Sequence, residues 1–244
     1  MTAPQIKWIS RDDPVDAFPA IDAALAVPNG LLAAGGDLSG ERLLYAYAQG
    51  IFPWFDQGQP ILWWSPDPRC VLVPETFHVA RRLRRRLRNC AFEITWNRSF
   101  ERVIAACGEP RRQQSGTWIT PDMREAFSGL HRDGWAHSVE VWLDRRLVGG
   151  IYGLAIGAAF FGESMFSRAP DASKTAMLAL CRQLARHGFE ILDCQLVSPH
   201  LLSLGAAPMP RRDFGPLVRR ACEKRARYTA WPREPLPALE LIAN

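Results

Sequence analysis

Asp193 and Gln195 stand two residues apart in "EILDCQLV". Side chains alternate along an extended strand, so this spacing predicts both polar groups on one face, with Leu192, Cys194 and Leu196 on the other. A carboxylate can accept a proton and a side-chain amide can donate a hydrogen bond to developing negative charge, so two such groups on one face of a strand with apolar neighbours form the best candidate site. The plainer alternative is the exposed polar face of an edge strand. Helical segments on both sides of this strand favour a central place in a sheet. A second candidate, Glu163, lies in the aromatic and apolar run "AAFFGESMFS". An ionised carboxylate there is costly unless paired or hydrogen-bonded, so Glu163 either has a partner, such as Arg168 or Lys174, or receives a ligand. Strict alternation sets Phe161, Glu163 and Met165 on one face and Phe160, Ser164 and Phe166 opposite; a bulge at Gly162 would shift that register.

Two further segments have unusual chemistry. "IFPWFDQGQPILWWSPDPR" holds Phe52, Trp54, Phe55, Trp63 and Trp64, and its prolines at 53, 60, 66 and 68 predict a rigid aromatic loop rather than a regular strand. Its rings suit either a buried core or a platform on which a flat ligand such as a nucleobase stacks. In "VARRLRRRLRN" Val79, Leu83 and Leu87 mark a buried helical stripe, while Arg81, Arg82, Arg84, Arg85, Arg86 and Arg88 cover the rest. A basic solvated helix is one reading; clustered guanidiniums that neutralise an anionic backbone is the preferred one.

Surrounding elements must position these groups. "GGDLSGERLLYAYAQG" predicts a helix capped by Ser39 and stopped by Gly50, and "TPDMREAFSGLHRDG" one capped by Thr120 with Pro121 in its first turn. "AHSVEVWLDRRLVGGIYGLAIGAAFFGESMFS" reads as three antiparallel strands turning near "DRR" and "IGA". A helix capped by Asp171 or Ser173 follows, then the strand with Asp193, a short helix and a basic helix over "RRDFGPLVRRACEKRARY". The expected fold class is α+β, built on a curved, mostly antiparallel sheet.

Composition narrows the function. The 244 residues are 48% hydrophobic, ample for a core, and no run approaches the roughly 18 apolar residues of a membrane span. The N-terminus lacks a signal-peptide layout, so a cytoplasmic protein without membrane contact is expected. Six cysteines form no CxxC pair and five histidines no ligand cluster, so no metal is expected. The net charge of +5 is uneven: residues 1–60 hold three basic and seven acidic side chains, leaving 27 basic and 18 acidic, or +9, for the remainder. A basic partner surface therefore belongs to the second part.

In order, "GGDLSGERLLYAYAQGIFPWF", "ILWWSPDPR", "GTWIT", "HSVEVW", "LVGGIYG", "FGESMFSR", "ASKTA", "DCQL" and "LGA" followed by "PRRDF" resemble the leucyl/phenylalanyl-tRNA–protein transferase family, from about residue 30 to 215. The resemblance implies a small N-terminal α/β domain over residues 1–68 joined, over 69–244, to a catalytic domain like that of GNAT acyltransferases. It implies transfer of Leu or Phe, and Met less well, from aminoacyl-tRNA to the α-amino group of proteins beginning with Arg or Lys, marking them for degradation. It carries catalysis to Asp193 and Gln195 and aminoacyl-adenosine contacts to Glu163, Trp54, Trp118 and Tyr47. It carries an apolar side-chain pocket to Phe160, Met165, Met177, Leu180, Leu184, Leu192 and Ile151, where leucines at 180 and 184 in place of rings reshape the pocket. A monomer without cofactor is expected. "SRAPDASKTA" lacks the glycines that hold a coenzyme A pyrophosphate at a helix start, so an acyl-CoA donor is the runner-up and a non-catalytic RNA-binding module a third reading.

Overall fold

Two adjacent residues, Asp144 and Arg145, both take left-handed backbone conformations, φ 50° and 61°, and make the tight two-residue connection between the strands that flank them. The computed structural model in which they occur describes residues 6–110, 117–224 and 231–243. In chain order it contains β1 (Lys7–Ile9), β2 (Leu31–Gly35), α1 (Gly40–Ala48), β3 (Phe52–Pro53) and β4 (Leu62–Trp64). Then follow β5 (Arg69–Leu72), α2 (Arg81–Asn89), β6 (Glu93–Trp96), α3 (Phe100–Cys107), α4 (Pro121–Arg132), β7 (Ala136–Leu143), β8 (Arg146–Ile156) and β9 (Ala159–Ser167). The chain continues with α5 (Ala172–Arg186), β10 (Ile191–Gln195), α6 (Pro199–Ser203), β11 (Ala207–Met209), α7 (Arg211–Glu223) and β12 (Leu236–Pro237).

The first four strands form a small sheet in the order β1-β2-β4-β3, and the rest a large sheet in the order β11-β5-β10-β9-β8-β7-β6-β12. All pairs of the large sheet are antiparallel except β9 with β10, which are joined through α5 as parallel strands require. This is the expected α+β class, with the three antiparallel strands β7, β8 and β9 where the sequence predicts them. β10 sits between β5 and β9, a central strand rather than an edge.

Helices cover both faces of the large sheet. On one face α1, α3, α4 and α7 pack Tyr47, Val103, Phe127 and Phe214 with Tyr152 and Phe161, continuous with the small sheet through Trp63. On the other, α2 lays Leu83 and Leu87, and α5 lays Met177, Leu180 and Leu184, against Ile151, Phe160 and Leu192. Ser39 and Thr120 cap α1 and α4 by accepting from the backbone N–H three residues on.

Three local expectations change. The aromatic segment is a short hairpin, β3 with β4, rather than a loop: Pro53 is tolerated because β3 is the edge strand of its sheet. Asp171 holds the N-cap position of α5 but its side chain caps nothing; it pairs with Lys174 at 2.9 Å instead. The last basic helix ends at Glu223, and residues 225–228 of that expectation lie outside the described residues, as do residues 111–116 of the loop before Thr120.

Candidate active site

β10 carries Asp193 into the interior, where neither it nor Arg69, from β5, has any exposed surface. The guanidinium grips the carboxylate with two hydrogen bonds, Nε to Oδ1 at 2.9 Å and Nη2 to Oδ2 at 2.7 Å. The rings of Phe52 and Phe214 each lie 4.7 Å from the guanidinium carbon. Bidentate geometry and cation–π contacts offset the desolvation of two buried charges.

Beyond Asp193 the strand does not alternate. The ladder slips, pairing Asp193 with Val71 but Gln195 with Cys70, and Gln195 takes φ 59°, a region that few non-glycine residues enter. The Gln195 backbone N–H donates to Asp193 Oδ1 at 2.9 Å, which holds the turn. This corrects the one-face expectation: Cys194 and Gln195 both line a cavity of about 650 Å³, and Asp193 lies behind them. The Gln195 amide Nε2 then donates to Glu163 Oε1 at 2.8 Å.

Glu163 is placed by a bulge. Tyr152 pairs with Ser164 and Gly153 with Gly162, so Glu163 is the extra residue of β9. A Cβ on Gly153 would lie 2.0 Å from the Phe161 carbonyl oxygen and 2.6 Å from the Phe160 ring, so only glycine permits this approach. The bulge also breaks the predicted face. Phe161 joins one core and Met165 packs against the other. Neither Arg168 nor Lys174 partners Glu163, because Arg168 pairs with Glu109 and Lys174 with Asp171.

The surroundings of Glu163 set its proton affinity. Burial pushes its carboxyl up to about 8; interactions with Tyr47 and Gln195 temper the rise, the Asp193 charge adds to it and Arg69 opposes it. Burial and the Glu163 charge also raise the Tyr47 and Tyr152 hydroxyls well above the usual tyrosine range. Both hydroxyls are buried and, among the described residues, have no partner at regular hydrogen-bond geometry.

Of the other predicted positions, Trp54, Trp118, Ile151, Met165 and Met177 line the cavity with Glu163 and Gln195. Tyr47 lies beneath it. Phe160, Leu180, Leu184 and Leu192 are at most 1% exposed and belong to the core behind Ile151 and Met177 rather than to the cavity surface. Arg81, Arg82, Arg84, Arg85 and Arg88 are exposed on α2, whereas Arg86 packs 5.4 Å from the centre of the Phe92 ring with its Nε buried. Arg82 reaches within 3.8 Å of Asp171, so the basic helix meets α5 six residues before Met177. Sequence reasoning misses Arg69 and Tyr152. The signal for Arg69 is a cation at the head of the apolar strand "RCVLV", which requires a buried anion.

The sequence matches the family described as leucyl/phenylalanyl-tRNA protein transferase over residues 71–219, and that family's N-terminal domain over residues 36–67. The chain belongs to this family. Its relatives include the leucyl/phenylalanyl-tRNA–protein transferases of Nitrosomonas eutropha, 51% identical over 93% of this chain and 95% of that one, and of Pseudomonas aeruginosa strain PAO1, 55% identical over 88% and 94%. The solved structure of FemX superposes with a TM-score of 0.46 over 74% of this chain and 71% of its own, at 10% identity. Among the described residues no helix is long and apolar enough to cross a membrane.

Proposed function

We propose that this chain transfers leucine or phenylalanine, and methionine less readily, from aminoacyl-tRNA to the α-amino group of proteins that begin with Arg or Lys, marking them for degradation. The observation that carries the reading is the Gln195–Glu163 pair in a cavity whose walls include apolar Ile151, Met165 and Met177 and aromatic Trp54 and Trp118. An aminoacyl ester is already activated, so the enzyme has chiefly to hold ester and amine together and move a proton. Trp54 and Trp118 offer faces for the terminal adenosine, with Tyr47 beneath and Glu163 at the polar end. Ile151, Met165 and Met177 receive the amino-acid side chain, backed by Phe160, Leu180, Leu184 and Leu192. Such a pocket admits Leu, Phe and Met with modest discrimination, since a methylene is worth about 1–3 kcal/mol.

Asp193 acts here as a positioning residue, fixing Gln195 through its backbone while Arg69 neutralises it. Gln195 donates to the oxygen on which charge develops. The arginines of α2 neutralise tRNA phosphates. Residues 1–68 form the small N-terminal domain, residues 69–244 the catalytic one, and the protein works as a cytoplasmic monomer without cofactor. The test is transfer of labelled leucine from leucyl-tRNA to a peptide beginning with Arg, beside the same peptide N-acetylated. Label on the free-amine peptide alone is expected. Absence of label on both, with acyl transfer from an acyl-CoA instead, would overturn the reading.

A further inference from the structure

We infer that Glu163, and not Asp193, is the group that accepts the proton given up by the attacking amine. The inference rests on the proposed reaction and assigns one step within it. Three observations carry it. First, Asp193 is sealed: it has no exposed surface, Arg69 holds both of its oxygens, Oδ1 also accepts from the Gln195 backbone, and the residue does not reach the cavity. A carboxylate so engaged cannot meet an amine without breaking a buried ion pair. Second, Glu163 does line the cavity, and the bulge in β9 aims it toward Gln195, whose amide holds one carboxyl oxygen in a fixed orientation. Third, the alternatives do not serve. The other carboxylates of the lining, Asp56 and Glu109, are exposed, and Glu109 is paired with Arg168.

The charged and titratable groups facing Glu163 are Tyr47 from α1, Tyr152 from β8, Asp193 from β10 and Arg69 from β5. Both tyrosine hydroxyls stay protonated, and the hydrogen bond with Cys70, then desolvation, push the half-buried Cys194 thiol well above its usual range, so none of these is a base near neutrality. Glu163, held at about 8, stands near the roughly 8 of an α-ammonium, so the fraction of the protein with Glu163 ionised takes the proton from the ammonium formed on attack with little change in free energy. In the step, the neutral amine nitrogen bonds to the ester carbonyl carbon and loses one proton to ionised Glu163. The bond from carbon to the ribose oxygen then breaks, and Glu163 returns that proton to the departing oxygen. Amide and alcohol leave, and the carboxylate is regenerated.

Single-turnover transfer from leucyl-tRNA to an Arg peptide, and equilibrium binding of a non-hydrolysable leucyl-adenosine analogue, test the assignment on wild type, Glu163→Gln, Glu163→Ala and Asp193→Ala. Loss of a positioned base lowers the rate by about 10²- to 10⁴-fold, so with leucyl-tRNA saturating Glu163→Gln should lose at least about 100-fold in rate, over and above any weaker binding of the analogue. Added formate should restore part of the rate to Glu163→Ala and none to Asp193→Ala. Undiminished turnover in Glu163→Gln, a fall explained wholly by weaker binding, or formate rescue of Asp193→Ala alone would overturn it. Thermal melts accompany each variant, and Glu163→Asp, which keeps the ionisable group, should retain more activity than Glu163→Gln if Gln proves poorly folded; equal loss in both would count against the assignment. A wild-type chain without transfer would overturn the underlying reaction itself.

Discussion

Arg69 and Asp193, 124 residues apart in sequence, close a fully buried bidentate ion pair beneath the loop that presents Gln195. Removing one partner leaves the other charge buried and uncompensated. Arg69→Met or Asp193→Leu alone should therefore lower stability by about 3–5 kcal/mol, and the two together by less than the sum. Chemical denaturation of the three variants measures this; additive losses would mean that the pair contributes no mutual stabilisation.

Glu163 makes stability depend on pH. Its carboxyl is raised from 4.5 to about 8 in the folded chain, so between these values the native state keeps a proton that the unfolded state has released. The native state binding more protons means that stability falls as pH rises through this window and levels off above it, by up to about 5 kcal/mol in all. Glu163→Gln, which cannot ionise, should flatten that decline. Parallel stability–pH curves for wild type and variant would contradict the raised proton affinity.

His137 acts at the acid side. Burial, and then the charge of His131, lower its pKa from 6.5 to about 3, with the imidazole against Trp231 at 4.4 Å and Asn97 Nδ2 3.1 Å from Nδ1. Here the unfolded state binds the extra proton, so stability is present above pH 6.5 and is lost as pH falls toward 3. His137→Gln should make melting temperature less sensitive to pH across this range; an unchanged slope between pH 6.5 and 4 would exclude the contribution.

The arginines of α2 divide into two kinds. Replacing Arg81, Arg82, Arg84, Arg85 and Arg88 by Gln leaves Leu83 and Leu87 in the core, so the fold should survive. The slope of log binding constant for tRNA against log salt should shrink by about 0.7–0.9 for each phosphate that is no longer neutralised. Arg86, stacked on Phe92, is left in place because its removal would disturb packing as well as charge. Titrations at several salt concentrations check this, and an unaltered slope would remove α2 from the tRNA-binding surface.

Met177 and Leu184 lie two turns apart on α5 but should behave differently. Met177→Ala enlarges the cavity and should raise the Phe-to-Leu ratio of kcat/KM by about tenfold. Leu184→Ala, in the core behind, should destabilise by about 2–5 kcal/mol and leave that ratio unchanged. Competition between the two charged tRNAs reads both; a shift in the ratio for Leu184→Ala alone would reverse the roles.

The sequence by itself determined the elements and the family. Capping residues, hairpin turns and apolar periodicity are local, so Ser39, Thr120 and the β7–β8–β9 meander could be read directly. The DCQ strand, Glu163 and the Arg-rich helix stood out because polar groups in apolar surroundings demand a reason. Only the tertiary structure decided which of these groups meet. Strand alternation holds while the ladder is regular, and two slips, at Glu163 and between Asp193 and Gln195, moved the carboxylates relative to their neighbours. A bulge arises from the fit between two strands, not from either sequence alone. The partner of Asp193 was likewise hidden, since nothing local links Arg69 to a strand 124 residues away. Burial then decided the chemistry: it sealed one carboxylate behind an ion pair and left the other at the cavity, with its proton affinity raised by the same exclusion of water.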